Sequence, residues 1–256
     1  MRIEVVTLFP ELVEGAVRHG VTGRAHERRL WTLGTVNPRD YATDRHRSVD
    51  DRPYGGGPGM VMLADPLEGA IAAAQERLQR DGVTQPKVIY MSPQGEPLGH
   101  QRVAELATEH GLVLVAGRYE GIDERIVEHM VDLEVAVGDF VVSGGELPAL
   151  LLIDAIVRQL PGALNDAQSS VEESFVAGLL DCPHYTRPEV YDGRAVPSVL
   201  LSGDHSRIAR WRLKQALGRT WLRRPDLLAA RGMSPDEAVL LDEFKQEEMQ
   251  EQRTKD

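Results

Sequence analysis

Glycine-rich loops are the chemically most distinctive feature of this 256-residue sequence. Residues 50–60 read DDRPYGGGPGM, which contains too many turn formers for a helix or strand and predicts several left-handed backbone positions or close backbone approaches. Three further loops follow short β-rich runs and carry glycine or proline: 92–95 (SPQG), 117–121 (GRYEG) and 138–145 (GDFVVSGG). Taken alone, 50–60 is equally well explained as a plain tight loop, whereas three loops at successive strand ends indicate one binding crevice.

The ligand that these loops favour carries no phosphate. No loop matches GxxxxGK[ST] or GxGxxG, so both phosphate-cradling fingerprints are absent. A ligand held through backbone groups and a few carboxylates fits better, and S-adenosylmethionine, with its adenosine, sulfonium cation and amino-acid tail, is of this kind. Glu120 and Asp139 would attract its positive groups, although either carboxylate could equally cap its own loop.

The elements that must position these loops are typical of an α/β fold. Strand-like and helical patterns alternate, with strands at 3–8, 87–91, 112–116 and 133–137 and helices at 66–80, 101–110, 122–130 and 147–159. Strands separated by helices predict a largely parallel sheet with helices on both faces. Ligands of such sheets bind in the loops beyond the carboxyl ends of the strands.

The character of the sequence changes after residue 160. Residues 161–171 are rich in Gly, Asn, Asp, Gln and Ser and predict an exposed, mobile linker. Beyond it, Ser206 can cap a basic helix that ends at Leu217, and residues 234–237 (SPDE) form a capping box with proline at the first helical position. We therefore predict an α/β domain over 1–160, a flexible linker over 161–175 and a small, mainly helical domain over 176–256.

The net charge of −11 argues against a nucleic-acid partner, but the charges are unevenly distributed. Residues 207–224 carry seven Arg or Lys and no acid, whereas the chain after residue 234 is strongly acidic. Phosphates respond to the local field within a Debye length of about 8–10 Å, so the basic segment leaves RNA binding open. The alternative is a merely solvated helix face. Trp211 and Trp221 could stack on bases, but their helical spacing favours core anchors.

Composition predicts a soluble cytoplasmic chain with no membrane partner. The opening MRIEVVTLF is too short for a signal peptide, and the most apolar stretch, 147–157, is too short to span a bilayer. A single cysteine, Cys182, excludes an intrachain disulfide and fits a reducing compartment. Cys182 and His184 could act as nucleophile and base, but a lone cysteine in a proline-bearing turn favours a small buried side chain. The histidines lack metal-ligand spacing, so we predict no metal site.

Strings along nearly the whole chain resemble one family. They are VTLFPE, VTGRA, RHRSVDDRPYGGGPGMVM, SPQG, GRYEGIDER, VGDFVVSGGELP, LLDCPHYTRPEV, VLLSGDH and WRLKQALGRTWLRRPDLL, and they are similar to the bacterial tRNA (guanine-N1)-methyltransferases that modify position 37. The resemblance implies a SPOUT-type α/β domain with a deep trefoil knot, a homodimer, and a helical C-terminal domain that binds the tRNA anticodon stem-loop. It also implies methyl transfer from S-adenosylmethionine to N1 of the guanosine 3′ of the anticodon, a reaction associated with Mg²⁺.

The resemblance also implies where the cofactor binds. The predicted cofactor contacts, most of them carried over from the family, are Tyr90, Met91, Ser92, Pro93, Gly117, Tyr119, Glu120, Gly121, Val137, Gly138, Asp139, Phe140, Val141, Val142, Gly144, Gly145 and Pro148. Phe140 stands where the family usually has tyrosine. Loss of that hydroxyl matters little if the contact is made through the backbone.

The reaction requires a base and a cation, and the resemblance implies both. The base would be Glu173, at the position of the family's aspartate before a Ser-Phe pair, with Asp181 as the alternative. The cation would be Arg158, which would stabilise negative charge on O6 of the guanine. The predicted tRNA contacts are His46, Asp50 and Arg52 near the flipped base, Ser174 in the linker, and Arg207, Arg210, Lys214 and Arg223 on phosphates.

Two other function classes stay open on sequence alone. One is a nucleotide-dependent oxidoreductase, which the missing GxGxxG disfavours. The other is a non-catalytic RNA-binding protein, which would not bind S-adenosylmethionine.

Overall fold

The computed structural model describes residues 1–165 and 173–255, apart from the side chains of residues 251, 252, 254 and 255. The chain forms two compact units, an N-terminal unit of residues 1–167 and a C-terminal unit of residues 168–256. Residues 166–172 of the predicted linker lie outside the described residues, so the flexibility of 161–175 stays a prediction.

A parallel sheet is the centre of the N-terminal unit. Its strands are β1 (Arg2–Val6), β2 (Thr32–Val36), β5 (Lys87–Pro97), β6 (Gly111–Val115) and β7 (Leu133–Ala136). They lie in the order β2-β1-β6-β5-β7, and every neighbouring pair is parallel. A separate antiparallel hairpin consists of β3 (Asp50–Asp51) and β4 (Val61–Met62). The parallel sheet and its four predicted strands are confirmed, whereas β2 was not predicted. The prediction of a loop at 92–95 is wrong, because β5 continues through these residues to Pro97 with an irregular register against β7.

The helices of this unit are α1 (Pro10–Ala16), α2 (Gly20–Glu27), α3 (Ala64–Arg80), α4 (His100–Leu106), α5 (Glu124–Met130) and α6 (Glu146–Gln159), with a short 3-10 turn at Pro38–Tyr41. The four predicted helices are confirmed, although α4 ends before residue 110. Helix α5 begins after residue 122, because the Asp123 carboxylate caps it by accepting a hydrogen bond from the Arg125 N–H.

Helices cover both faces of the sheet, as predicted. Successive side chains of a strand point to opposite faces, so each strand contributes to two cores. In β6, Leu112 and Leu114 pack in one core with residues of α1, α2, α4 and α6, whereas Val113 and Val115 pack in the other with residues of α3 and α5. The sheet is therefore buried on both faces, and only its ends are available to a ligand.

The C-terminal unit is mainly helical. It contains a hairpin of β8 (Val190–Tyr191) and β9 (Arg194–Ala195), followed by α7 (Ser198–Leu201), α8 (His205–Arg223), α9 (Pro225–Arg231) and α10 (Pro235–Lys255). Leucines from α8, α9, α10 and the segment before the hairpin form its core: Leu179, Leu217, Leu228, Leu240 and Leu241. No helix within the described residues combines the length and apolar character needed to cross a bilayer.

The ends of the C-terminal helices test the capping predictions. Helix α8 is capped by Asp204 rather than Ser206, since the Asp204 carboxylate accepts from the Arg207 N–H at 3.1 Å, and it continues beyond Leu217 to Arg223. The capping box is confirmed. The Ser234 N–H donates to the Glu237 carboxylate at 2.8 Å, and the Glu237 N–H donates to the Ser234 hydroxyl at 3.2 Å.

Candidate functional site

A cavity of about 250 Å³ lies at the carboxyl ends of β6 and β7 and beside residues 90–93 of β5. We call it the strand-end cavity. Its lining contains every predicted cofactor contact except Asp139, whose side chain is exposed beside it. The structure adds three lining residues that the sequence did not indicate, namely Arg118, Val135 and Ala136. The predicted convergence is present for the 117–121 and 138–145 loops, which follow β6 and β7, whereas Ser92 and Pro93 reach the cavity from within β5.

Glycines are required here because two loops approach each other at backbone distance. A Cβ atom on Gly145 would lie 2.7 Å from the Ala116 Cα, and one on Gly117 would lie 2.8 Å from the Tyr90 ring. The Gly145 N–H donates to the Gly117 carbonyl at 2.8 Å, and Arg118 pairs with Gly144 in an isolated antiparallel bridge. The 117–121 and 138–145 loops therefore lie in direct contact.

Tyr90 forms a buried wall of the strand-end cavity. Burial, with a smaller contribution from the Glu134 carboxylate, raises the pKa of its phenol to about 12. The hydroxyl therefore stays protonated at any physiological pH and can act as a neutral hydrogen-bond donor.

The glycine-rich segment closes against the cavity as part of the β3–β4 hairpin. The Glu120 N–H donates to the Met60 carbonyl and the Met62 N–H to the Gly121 carbonyl, both at 2.9 Å. The hairpin's glycines at 55, 56, 57 and 59 all have positive φ, which confirms the predicted left-handed positions. Gly59 packs directly on the Glu120 side chain, where a Cβ atom would collide.

Of the predicted guanine contacts, Asp50 contacts a residue of the cavity lining, Tyr119. Burial and the hydrogen bond with Asp50 raise the pKa of Tyr119, which lines the cavity, while Arg39 opposes the shift. His46 and Arg52 are exposed on the same segment, and their backbone N–H groups donate to Asp44 and Asp51. Their side chains remain available to a ligand of the hairpin.

A largely buried ion pair between Arg118 and Glu146 was missed by sequence analysis. Glu146, the first residue of α6, is 1% exposed and lies 2.8 Å from the Arg118 Nε. It also accepts a hydrogen bond from the Thr7 hydroxyl at 2.9 Å. The Arg118 guanidinium donates to the Ser143 carbonyl at 3.2 Å and lies 4.3 Å from the centroid of the Phe9 ring. Arg118 thereby links the 117–121 loop to the 138–145 loop.

Arg158 lies at the far end of α6 from this cavity. Gly145 and Pro148, at the start of the helix, line the cavity, and thirteen residues at 1.5 Å each place the Arg158 backbone about 20 Å away from Gly145. Within one chain, the N-terminal unit does not bring Arg158 to the strand-end cavity.

The candidate bases lie in the C-terminal unit, in a turn segment that begins at residue 173. Ser174 accepts a hydrogen bond from the Asp181 N–H at 3.0 Å, and the Glu173 side chain is half-buried. Asp181 contacts the His184 ring at 2.8 Å. Burial opposes ionisation of Asp181, but the hydrogen bonds from His184 and Cys182 outweigh it and leave its pKa below the ordinary value.

Cys182 is buried, as predicted. Burial and the neighbouring Asp181 raise the pKa of its thiol, which disfavours the thiolate that nucleophilic catalysis needs. Ligand atoms of Asp181, Cys182 and His184 lie within 4.8 Å of one another and could hold a metal ion, a grouping that histidine spacing alone did not indicate. Structural zinc sites use four ligands, so the prediction of no structural zinc stands as a prediction.

The basic helix α8 is partly neutralised by α10. Arg210 pairs with Glu243 at 2.6 Å and Lys214 with Glu247 at 2.5 Å, while Arg207 and Arg223 are exposed. Two of the four predicted phosphate contacts, Arg210 and Lys214, are thus already paired with carboxylates.

The expectation that both tryptophans of α8 anchor the core is wrong for Trp221. Its side chain is 39% exposed, and the Lys245 ammonium lies 5.4 Å from its ring centroid. Trp211 is half-buried against Tyr185, and the fully buried tryptophan is Trp31 of the N-terminal unit.

A family model and several curated proteins that are similar to this chain all carry equivalent descriptions. The family model described as "tRNA (Guanine-1)-methyltransferase TrmD" matches residues 1–230. A protein of Nitrosospira multiformis named tRNA (guanine-N(1)-)-methyltransferase is 60% identical over 94% of this chain and 96% of its own length. Proteins of the same name from Methylobacillus flagellatus and Methylococcus capsulatus are 59% and 58% identical, over 96% and 99% of this chain and 94% and 100% of their own lengths.

Proposed function

The chain belongs to the tRNA (guanine-1)-methyltransferase family, and we propose that it transfers the methyl group of S-adenosylmethionine to N1 of guanosine 37 of tRNA, directly 3′ of the anticodon. The observation that carries this proposal is the strand-end cavity, in which β5 and the loops after β6 and β7 present glycine backbone, apolar side chains and one carboxylate. When bound, S-adenosylmethionine supplies an electrophilic methyl group.

The lining of the strand-end cavity fits this donor. Gly117, Gly144 and Gly145 expose backbone groups without side chains, which suits a ligand that is held by main-chain hydrogen bonds. Val137 and Val142 offer apolar surface for an adenine ring, and Glu120 is a carboxylate for the positive groups of the amino-acid tail. The lining contains no Lys, and its single Arg is paired with Glu146, in keeping with a ligand that carries no phosphate.

We propose a trefoil knot for this SPOUT-type sheet, because the family resemblance implies one and the two glycine loops pack directly on each other. Direct backbone contact between the 117–121 and 138–145 loops is the packing that a threaded chain requires. The same contact would hold the donor's binding groups in fixed positions.

Proton removal from guanine N1 is the task of a carboxylate, and we assign it to Glu173. The nitrogen is a poor nucleophile until its proton leaves, and general-base catalysis contributes about 10²–10⁴-fold. The Asp181 carboxylate, the alternative, contacts the His184 ring and accepts from the Cys182 N–H, and its lowered pKa makes it a weaker proton acceptor than an ordinary aspartate. We therefore give Asp181 a positioning role beside Ser174.

A homodimer accounts for the placement of Arg158. Since its backbone lies about 20 Å along α6 from the cavity end, contact with O6 of a guanine at that cavity requires a second copy of the chain. Apolar side chains at the start of α6 are exposed, with Leu147 at 53% and Leu151 at 57%, and the adjoining Phe140 and Val141 at 58% and 83%. A cluster of this kind is typical of a protein–protein interface.

The tRNA would be held by both units. In the N-terminal unit, His46, Asp50 and Arg52 would contact the flipped guanine or its neighbour from the β3–β4 hairpin. In the C-terminal unit, Arg207 and Arg223 are exposed for phosphates, and Arg210 and Lys214 would exchange their carboxylate partners for phosphates.

The test is methyl transfer to two unmodified tRNA transcripts that differ only in guanine or adenine at position 37. With labelled S-adenosylmethionine, we expect label in the guanine transcript alone, and digestion should place it in 1-methylguanosine. Each reaction is run with and without Mg²⁺, because the family resemblance associates that ion with the reaction. Label at another nucleotide would overturn the assignment of position 37, and calorimetry that detects no S-adenosylmethionine binding would favour a non-catalytic RNA-binding protein.

A further inference from the structure

A second cavity, of about 690 Å³, lies within the C-terminal unit. We call it the C-terminal cavity. It shares no lining residue with the strand-end cavity, and its volume is within the range of roughly 300–1,000 Å³ that is typical of small-ligand sites. Val196, Leu200 and Ile208 give it an apolar surface, and Tyr185, Arg187 and Arg212 give it an aromatic ring and two positive charges.

The aromatic ring of this cavity is supported from behind but remains accessible. Tyr185 is 50% exposed, although it lines the cavity. Its ring packs on Trp211 of α8, with 6.4 Å between ring centroids and 52° between ring planes. A ring that is braced on one side and exposed on the other is a platform on which a planar ligand can stack.

The two arginines of this cavity are not neutralised by carboxylates in the part of the chain that the structure describes, in contrast to several other basic side chains of the unit. Arg210, Lys214, Arg224 and Arg231 of the same unit each pair with a carboxylate. By contrast, Arg187 and Arg212 form no ion pair with any carboxylate among the described residues, and both are exposed. The lining contains a single acid, Glu189, so the cavity attracts an anion.

We propose that the C-terminal cavity is a nucleotide-binding subsite, which holds one unstacked nucleotide of the tRNA other than the guanosine that is methylated. The base stacks on Tyr185, the ribose packs on the apolar side chains, and the flanking phosphates contact Arg187 and Arg212. Single-stranded RNA is commonly recognised in this way, by aromatic stacking beside a positive groove. The proposal rests on the proposed function in one respect, namely that tRNA is the substrate.

The test measures the affinity of the full-length protein for an anticodon stem-loop at several salt concentrations, by fluorescence anisotropy. Tyr185→Ala should weaken binding roughly 5- to 100-fold, as expected for the loss of one stacked base, while Tyr185→Phe should stay within about twofold of the wild type. The matched control is Tyr191→Ala, since Tyr191 is 74% exposed in the neighbouring hairpin and does not line the cavity. That variant should also stay within about twofold.

The contribution of positive charge to RNA binding is tested with a second variant and its matched control. A plot of log K against log salt has a negative slope, and Arg187→Ala should reduce the magnitude of that slope by about 0.7. Arg194 is an exposed residue of β9 outside the lining, so Arg194→Ala should leave the slope unchanged. Thermal unfolding of each variant separates loss of the site from loss of the fold. If Tyr185→Ala remains folded and binds like Tyr191→Ala, the subsite is excluded.

Two further outcomes would overturn the proposal. Equal weakening by Tyr185→Ala and Tyr185→Phe would show that the hydroxyl, not stacking, is used. Dissociation of a dimer by Tyr185→Ala, measured by sedimentation, would show that a protein segment fills the cavity. Failure of the wild type to methylate tRNA would refute the proposed function alone, because the affinity series measures RNA binding without transfer.

Discussion

We expect Glu146→Gln to destabilise the N-terminal unit, although the substitution preserves the shape of the side chain. Glu146 is 1% exposed and its partner Arg118 is 20% exposed, so the ion pair is largely removed from water. Glutamine can still accept the hydrogen bond from the Thr7 hydroxyl. Glutamine cannot neutralise the Arg118 guanidinium, which is also in contact with the Ser143 carbonyl and the Phe9 ring.

The size of the effect follows from the burial of the pair. Removal of one partner of a buried ion pair destabilises a protein by about 3–5 kcal/mol. Arg118 keeps partial exposure and a cation–π contact, and both offset part of that loss, so we expect about 2–3 kcal/mol. For a unit of 167 residues, 1 kcal/mol shifts the Tm by about 2–4 °C, which gives a decrease of about 4–12 °C.

Differential scanning calorimetry measures this shift, and the exposed pair of Arg102 with Glu96 provides the control. Glu96→Gln should cost less than about 1 kcal/mol. Replacing both members of the buried pair, as in Arg118→Met with Glu146→Leu, should be less destabilising than Glu146→Leu alone, because no unpaired charge remains. Equal Tm values for Glu146→Gln and Glu96→Gln would refute the reasoning.

Three further predictions concern RNA binding, the cofactor and pH. Glu247→Gln should release the Lys214 ammonium for a phosphate contact. The slope of log K against log salt for tRNA binding should then become steeper by up to about 0.9, whereas Glu248→Gln should not change it. Gly117→Ala places a Cβ atom 2.8 Å from a buried ring and should weaken S-adenosylmethionine binding at least about tenfold by calorimetry, whereas Gly99→Ala meets nothing within 4 Å and should leave it unchanged. The pKa of Glu237 is lowered to about 2 by hydrogen bonds from Arg231 and Ser234, so its stabilising contribution, present above the unfolded pKa, is lost as the pH falls towards 2. Urea unfolding between about pH 6 and pH 2 should show a smaller loss for Glu237→Gln.

Local signals were the ones that sequence analysis could interpret. Continuous β-branched and apolar runs identified four strands of the sheet, because such runs bury themselves on both faces. Strand β2 (TLGTV) was missed, since it is an edge strand with a glycine at its centre. Gly34 is required there because a Cβ atom would collide with the buried Glu4 carboxylate on β1, and this contact is visible only in three dimensions.

The candidate site likewise combines features that local sequence predicts with contacts that only the folded structure reveals. The loops could be predicted because glycine content is a local property, and they do line one cavity. The buried position of Glu146 could not, because its partners Arg118 and Thr7 lie on other elements, and Thr7 is 139 residues away in sequence. The basic segment was interpreted from its local charge, whereas its Lys214 pairs with Glu247 of another helix, 33 residues later. Charge runs therefore give the composition of a surface but not its net field.

Binding and chemistry should be separable in this protein, because the residues assigned to them lie in different places. The proposed donor contacts, apart from Asp139, line the strand-end cavity, whereas Glu173 belongs to the C-terminal unit and Arg158 to the far end of α6. Glu173→Gln and Arg158→Ala should therefore keep the dissociation constant for S-adenosylmethionine within about twofold while lowering kcat by about 10²–10⁴-fold and 10²–10³-fold. Calorimetry and single-turnover methylation measure the two quantities on the same preparations. Near-normal turnover of Glu173→Gln would transfer the role of base to Asp181, and loss of cofactor binding in either variant would show that the donor site extends beyond the cavity.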